Sequence, residues 1–187
     1  VIRDSIEEQA EAALNAQREL PLYRHDATYA REQGDLDLYR ASRRANIACK
    51  EAIENAIAEN YRDNRLGGDA VPQVIEQFGY TRTLYVLANT VQQKDWDGRF
   101  SPANKAWAKT VDIPPNPDGF GGNRNLDFVV DSHPTVLNGF IDLVREEQRS
   151  RVQAEKAQLS KTSVREKLKQ EPPARKPAVP KKREPER

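Results

Sequence analysis

The segment that most constrains the fold is residues 36–61, "LDLYRASRRANIACKEAIENAIAENY", which contains neither proline nor glycine. Its apolar side chains recur every three or four residues, the spacing that places them on one face of an α-helix. At about 1.5 Å per residue this helix is about 39 Å long, and other elements must cover its apolar face. We therefore expect a helical domain built around this long helix.

Shorter helices are predicted on both sides of the long one. Proline, glycine and N-cap residues divide the remaining domain into helices before residue 20, at 27–33, 69–79, 82–93 and 102–109, and from Pro134 to about residue 158, the last capped by Ser132. The segments "TVDI" and "LDFVV" are expected to pair as strands. The predicted fold is mainly α, with five to six helices around a long spine helix and a small two-stranded β-ribbon.

Charge is distributed unevenly along the chain. Residues 161–187 carry ten Lys/Arg and four Asp/Glu, a net charge of +6, so the whole-chain charge of +1 leaves residues 1–160 at −5. With five prolines, residues 161–187 are predicted to form a disordered tail, after an N-terminal helix (1–20) and a helical domain (21–160). Its basic residues would attract nucleic acid, in particular Lys181, Lys182 and Arg183.

Composition and motifs exclude several classes of protein. No apolar run approaches the roughly 20 residues that a membrane helix needs, so we expect no membrane association. Walker loops, dinucleotide-binding glycine patterns and CxxC pairs do not occur, so no cofactor is expected. The single cysteine, Cys49, lies on the apolar side of the long helix and fits a core residue in a reducing, cytoplasmic protein.

The stretch with the most varied chemistry is "KDWDGRFSPANKAW", residues 94–107. Asp95 and Asp97 could bind magnesium beside a phosphate substrate, and with His133 they would form the catalytic set of a metal-dependent nuclease or phosphoesterase. Alternatively, Asp97 and Gly98 form a bend between two helices, and both tryptophans pack on the core. The second interpretation is favoured, so no residue is assigned as catalytic or metal-binding.

Two further patterns carry chemically active residues. The sequence "VVDSHP" holds Asp131, Ser132 and His133, but adjacent residues point in different directions, so a catalytic triad is not expected. On the long helix, Arg40 and Arg44 form a basic stripe that could face phosphates. Lys50 is a further candidate for this stripe, and the alternative is a solvated face paired with nearby acids, such as Asp37 and Glu51.

Three segments, "LYRASRRANIACKEAIENAIAENYR", "VLANTVQQKDWDGRFSPANKAWA" and "FVVDSHPTVL", together resemble an uncharacterised domain family. This family occurs in conjugative and integrative elements of Gram-positive anaerobic bacteria, often within large polyvalent proteins beside antirestriction-type modules. The resemblance covers about residues 22–145. It implies a setting on invading DNA, where accessory proteins blunt host defences, and it implies no established chemistry.

These observations favour a non-enzymatic binding module of a mobile genetic element. It would act in counter-defence, as an antirestriction or anti-CRISPR protein that occupies a host defence nuclease or the nucleic acid that this nuclease uses. The expected contact residues are Arg40, Arg44, Trp96, Asp97 and Arg99. One alternative is a nucleic-acid-binding accessory protein that uses the basic stripe and the tail. The other is the metal-dependent nuclease described above.

Overall fold

The structure, a computed structural model, describes residues 2–170. This part of the chain is mainly helical, as predicted, with six α-helices, one 3₁₀ helix (η1) and one two-stranded antiparallel sheet. The elements are α1 (Ile2–Glu19), α2 (Ala27–Gln33), α3 (Leu36–Asn60), β1 (Tyr61–Arg62), β2 (Arg65–Leu66), α4 (Ala70–Gln93), α5 (Pro102–Ala108), η1 (Arg124–Phe128) and α6 (Pro134–Gln170).

Helix α3 begins at the predicted residue and ends one residue early, at Asn60, but α4 is the helix that most other elements pack around. α4 contacts α1, α3, α5 and η1. All residues from Tyr85 to Val91 are buried, including two polar ones. Asn89 Nδ2 donates to the carbonyl oxygen of Asn125 (2.8 Å), and Thr90 Oγ1 donates to that of Val86 (2.9 Å). Because these polar groups are hydrogen-bonded, α4 can be buried on nearly all sides.

Helix α4 is kinked at Gly79. The sequence predicts two helices here, and the structure joins them through a residue with φ 73° and ψ 170°. This backbone conformation is essentially restricted to glycine, because a side chain would be strained in it. Thr83 Oγ1 donates to the carbonyl oxygen of Gly79 (2.8 Å), which lies at the kink.

Arg82 lies just after this kink and is fully buried, with 2% of its surface exposed. On α3, its Nη1 donates to the carbonyl oxygen of Ser42 (2.9 Å) and to Asn46 Oδ1. Between α1 and α2, its Nη2 donates to the carbonyl oxygens of Leu20 (3.0 Å) and Pro21 (3.2 Å). One guanidinium therefore joins α3, α4 and the connection that follows α1.

The two-stranded ribbon forms at a different place from the one predicted. Strands β1 and β2 pair across Asp63 and Asn64, whose φ angles of 52° and 60° suit the tight turn of a hairpin. The predicted strand "LDFVV" instead begins as the 3₁₀ helix η1, because Asn123 Oδ1 accepts the N–H of Asn125 (3.0 Å) and caps it. Phe128 is buried at the end of η1.

Within the described residues, helix α6 is divided between two units, the first ending at Gln148 and the second beginning at Arg149. In the first unit its buried residues belong to the core and include Leu137, Phe140, Ile141 and Val144. In the second unit, every side chain from 149 to 169 is exposed. Neither α6 nor any other helix within residues 2–170 is long and apolar enough to cross a membrane.

The described helix continues beyond the point where the sequence predicts a disordered tail. Residues 161–170 are helical, because the first proline of the predicted tail is Pro172 and the preceding residues are mostly good helix formers. The remaining tail residues, among them Lys181, Lys182 and Arg183, lie outside the described residues.

Replacement of Arg82 by methionine is expected to lower the free energy of unfolding by about 2–4 kcal/mol, because it leaves buried acceptors without donors. The matched control is Arg44→Met on the exposed side of α3, for which we expect a change within about 0.5 kcal/mol. Urea unfolding followed by circular dichroism measures both values. Equal stability of the two variants would contradict the role assigned to Arg82.

Candidate functional site

The candidate site is the anchor loop, residues 94–101, which connects α4 to α5. The N–H of Asp97 donates to the carbonyl oxygen of Lys94 (2.9 Å), and the N–H of Phe100 donates to that of Asp97 (3.4 Å). Phe100 is buried in the core. Ser101 caps α5, as its Oγ accepts the N–H of Asn104 (3.1 Å). The loop therefore begins and ends on fixed elements.

Asp97 and Arg99 lock the turn within this loop. Asp97 Oδ1 accepts hydrogen bonds from the backbone N–H and from Nε of Arg99 (both 3.0 Å). Asp97 Oδ2 accepts one from Arg99 Nη2 (2.8 Å). The Asp97 side chain is 5% exposed and that of Arg99 57% exposed. The side-chain and then the backbone hydrogen bonds from Arg99 lower the pKa of Asp97 to about 2. The carboxylate is thus ionised at neutral pH and holds the loop in place.

Asn138 on α6 provides a second clamp. Its Oδ1 accepts the N–H of Ser101 and the Nδ2 of Asn104, both at 3.1 Å. Its Nδ2 donates to the carbonyl oxygen of Arg99 (2.8 Å). One amide side chain therefore attaches both the anchor loop and α5 to α6.

The two tryptophans of this region lie in different environments. Trp107 is half-buried against the core, and the guanidinium carbon of Arg145 lies 5.1 Å from its ring centroid, in a cation–π contact. The prediction that Trp96 also packs on the core is wrong, because 79% of its surface is exposed. Asp97 occupies the buried position of the turn, and its neighbour Trp96 lies at the surface.

Asp95, Asp97 and His133 are not brought together as a metal site. Both carboxylate oxygens of Asp97 are bonded to Arg99, Asp95 is exposed at a cleft between α4 and α5, and His133 precedes α6. Within residues 2–170, no group of three or more His, Cys, Asp or Glu side chains is placed to hold a metal ion. The geometry therefore gives no support to the metal-dependent nuclease.

Residues 131–133 form the entrance to α6. His133 Nδ1 accepts the N–H of Thr135 (3.2 Å), so His133 caps the helix, where Ser132 was predicted to do so. The N–H of Asp131 donates to Glu54 Oε1 on α3 (2.9 Å). Neither bond links Asp131, Ser132 and His133 to one another, so Asp131 and His133 connect the start of α6 to α3 and to its own first turn.

The basic stripe on α3 is reduced to two residues. Arg40 and Arg44 are exposed, and neither forms an ion pair or hydrogen bond with another residue in the described part of the chain. Lys50, the third candidate, is paired with Glu54 (3.1 Å). The structure therefore presents two free guanidinium groups that are one helical turn apart.

Sequence reasoning did not single out Phe120, which is 100% exposed. It lies in a turn where Asp118 Oδ1 accepts the N–H groups of Phe120 (2.8 Å) and Gly122 (2.6 Å). Asn123 Nδ2 donates to Gln93 Oε1 (3.1 Å), which ties this turn to the end of α4. The sequence "PDGFGGN" is typical of a turn, but no local signal indicates that its phenylalanine is exposed.

A family-level match covers most of the domain. The model of a family described as a protein of unknown function, DUF3849, matches residues 22–149. The chain belongs to this family. The predicted membership of an uncharacterised domain family is therefore confirmed, and α1 lies outside the matched range. No curated protein and no solved structure matches the chain.

In this DUF3849 domain, Arg99→Gln is expected to raise the pKa of Asp97 from about 2 toward its ordinary value of 3.8, because the bonds that favour the carboxylate are lost. The lowered pKa stabilises the folded domain above about pH 4, and this contribution is lost between about pH 4 and pH 2. A carbon-13 NMR titration of the carboxyl group measures the pKa. Arg31→Gln on α2 is the control, and an unchanged Asp97 titration in Arg99→Gln would contradict the assignment.

Proposed function

We propose that this DUF3849 domain is a non-catalytic binding module of a mobile genetic element, which acts in counter-defence by occupying a host defence nuclease. The observation that best supports this proposal is the anchor loop, where Trp96 is exposed to solvent. The turn that carries Trp96 is held by hydrogen bonds among Asp97, Arg99 and Asn138. Tryptophan and arginine are the residues most enriched among those that dominate protein–protein binding energy.

The fixed geometry of the anchor loop favours binding for an entropic reason. A loop that is already ordered loses little conformational freedom when a partner covers it, so more of the contact energy appears as affinity. Trp96 and the 57% exposed Arg99 would make the contacts. Asp97 is 5% exposed and would act by holding both neighbours in position.

The mobile-element setting comes from the sequence resemblance, and the charge distribution fits it in part. Residues 1–160 carry a net charge of −5, which favours approach to the basic channel of a nuclease. This charge is small for 160 residues. The binding energy would therefore come mainly from the anchor loop, and the negative charge would mainly speed the approach of the partner.

The proposal predicts that the purified chain inhibits DNA cleavage by at least one member of a panel of restriction and CRISPR nucleases. Trp96→Ala is expected to weaken inhibition by about tenfold or more, as for a residue central to an interface. Ile6→Ala, which truncates an exposed apolar side chain on α1, is the matched control and should change it less than about twofold. Inhibition of no nuclease in the panel, or equal inhibition by Trp96→Ala and the wild type, would contradict it.

A second candidate function, nucleic-acid binding, is favoured by the free guanidinium groups of Arg40 and Arg44. Each would neutralise one phosphate, and such contacts make binding weaken steeply with salt. The tail residues Lys181, Lys182 and Arg183 would add to the same electrostatic attraction. This function requires no base recognition, and a positively charged helix face is sufficient for it.

If this second function holds, the double variant Arg40→Gln/Arg44→Gln should bind labelled duplex DNA more weakly. The slope of log affinity against log salt should fall by about 2 in magnitude. Arg62→Gln/Arg65→Gln, which removes two arginines from the exposed hairpin, is the charge-matched control. Wild-type affinity for duplex DNA, single-stranded DNA and RNA that does not change on doubling the salt concentration would rule this function out.

A further inference from the structure

The last part of α6, residues 149–170, is strongly basic. It carries seven Lys/Arg and two Asp/Glu, a net charge of +5, whereas residues 1–148 carry 17 Lys/Arg and 24 Asp/Glu, a net charge of −7. Residues 149–170 are helical, and every side chain from 149 to 169 is exposed. We call this part of the helix the basic segment. Its positive charges therefore face solvent on a regular helix.

Three side chains of the basic segment form a stripe of like charge. Lys161, Arg165 and Lys169 follow one another at intervals of four residues, so they lie on one face and about 6 Å apart along the axis. No acidic residue lies three or four positions from Lys161 or Arg165. Within residues 2–170, none of the three side chains forms an ion pair, although Glu166 lies three positions before Lys169. Like charges at this spacing destabilise a helix, and a bound polyanion would remove their repulsion.

The apolar side chains of the basic segment do not share one face. Val152 and Leu159 are seven residues apart and lie on the same side of the helix. Leu168 is nine residues beyond Leu159, which is about two and a half turns, so it lies on the opposite side. A helix on a lipid surface needs one apolar face, and a coiled coil needs apolar residues that repeat in every heptad. The pattern therefore favours neither a membrane nor a second helix as the partner.

A nucleic-acid duplex carries the complementary charge at a high density. The stripe from Lys161 to Lys169 spans about 12 Å, a length over which a duplex carries about seven phosphates. Contacts from lysine and arginine to phosphates hold a protein on a duplex without reading the base sequence. The basic segment contains no aromatic residue on which unpaired bases could stack, so its composition favours a duplex over a single strand.

We propose that the basic segment binds the phosphate backbone of a nucleic-acid duplex, with Lys161, Arg165 and Lys169 as the main contacts. This inference goes beyond the proposed function, because it rests neither on the anchor loop nor on Arg40 and Arg44. All of the basic segment except its first residue lies outside the family match, residues 22–149. The chain then has two binding elements, one for a protein partner and one for a duplex.

The test measures the affinity of the full chain for labelled duplex DNA between about 50 mM and 200 mM salt. The triple variant Lys161→Gln/Arg165→Gln/Lys169→Gln should bind about tenfold or more weakly at the lowest salt concentration. The slope of log affinity against log salt should fall by about 3 in magnitude, because three phosphate contacts are lost. Glutamine is a good helix former, and circular dichroism should show unchanged helix content.

The charge-matched control is Arg31→Gln/Arg62→Gln/Arg65→Gln, which removes three exposed arginines outside the basic segment. It should lower the slope by less than about 1, because these side chains contact no phosphate in the proposed complex. Equal losses in the two triple variants would overturn the proposal, since binding would then depend on net charge alone. Wild-type chain that does not bind duplex DNA at the lowest salt concentration would overturn it as well.

A second measurement uses only the wild-type chain. Added duplex DNA should slow amide hydrogen exchange of residues 161–169 by about tenfold, because a helix whose like charges are neutralised opens less often. Unchanged exchange in the basic segment while the DNA is bound would overturn the proposal.

Two other partners are distinguished by the same triple variant. Tighter binding of the wild type to phosphatidylserine vesicles than to DNA, lost in the variant, would assign the basic segment to a lipid surface. A low-salt dimer in sedimentation that the variant dissociates would assign it to the acidic residues of a second copy. Either result would overturn the proposal. The nuclease assay is not needed for this test, so failure of the proposed function and failure of this inference are separate outcomes.

Discussion

A buried guanidinium is the interaction on which the rest of this domain depends. Burial lowers the pKa of Arg82, but arginine keeps its charge at neutral pH. Its hydrogen-bond partners on α3 and after α1 include neutral carbonyl oxygens. The dipoles of these carbonyl groups therefore stabilise the positive charge of Arg82. Because a buried donor without a partner is costly, burial of Arg82 Nη2 beside α3 requires acceptors such as the carbonyls of Leu20 and Pro21. This requirement fixes the end of α1, which has no buried residue of its own.

Hydrogen bonds from side-chain amides to backbone groups hold the segments on both sides of α5, including the anchor loop. Gln92 Nε2 donates to the carbonyl oxygens of Ala108 (2.7 Å) and Val111 (2.9 Å), which fixes the chain on leaving α5. Asn138 fixes the loop on entering α5. An amide carries two donor hydrogens and an acceptor, so one side chain can join two segments that share no regular ladder of hydrogen bonds. The irregular connections around α5 are thereby held by side-chain hydrogen bonds from α4 and α6.

Sequence periodicity predicts the helices well because burial repeats with the helical period, as the agreement over Leu36–Asn60 shows. Periodicity fails where a charged side chain is buried or an apolar side chain is exposed. Arg82 is charged and buried, and Trp96 is apolar and exposed. Neither is predictable from composition, since Arg82 depends on partners distant in the chain and the exposure of Trp96 depends on the turn that buries Asp97. The hairpin was different, because Asp63 and Asn64 were a local turn signal that the sequence analysis did not use.

The electrostatics of the anchor loop make Asp97 unsuited to proton transfer near neutral pH. A carboxyl group that transfers protons near neutral pH works best with a pKa raised toward that pH. The pKa of Asp97 is lowered to about 2 by the hydrogen bonds from Arg99, so it is a weak base. The same bonds order the loop before any partner arrives and leave Trp96 exposed. The arrangement that makes Asp97 a weak base therefore also orders the loop that carries Trp96, as the proposed binding role requires.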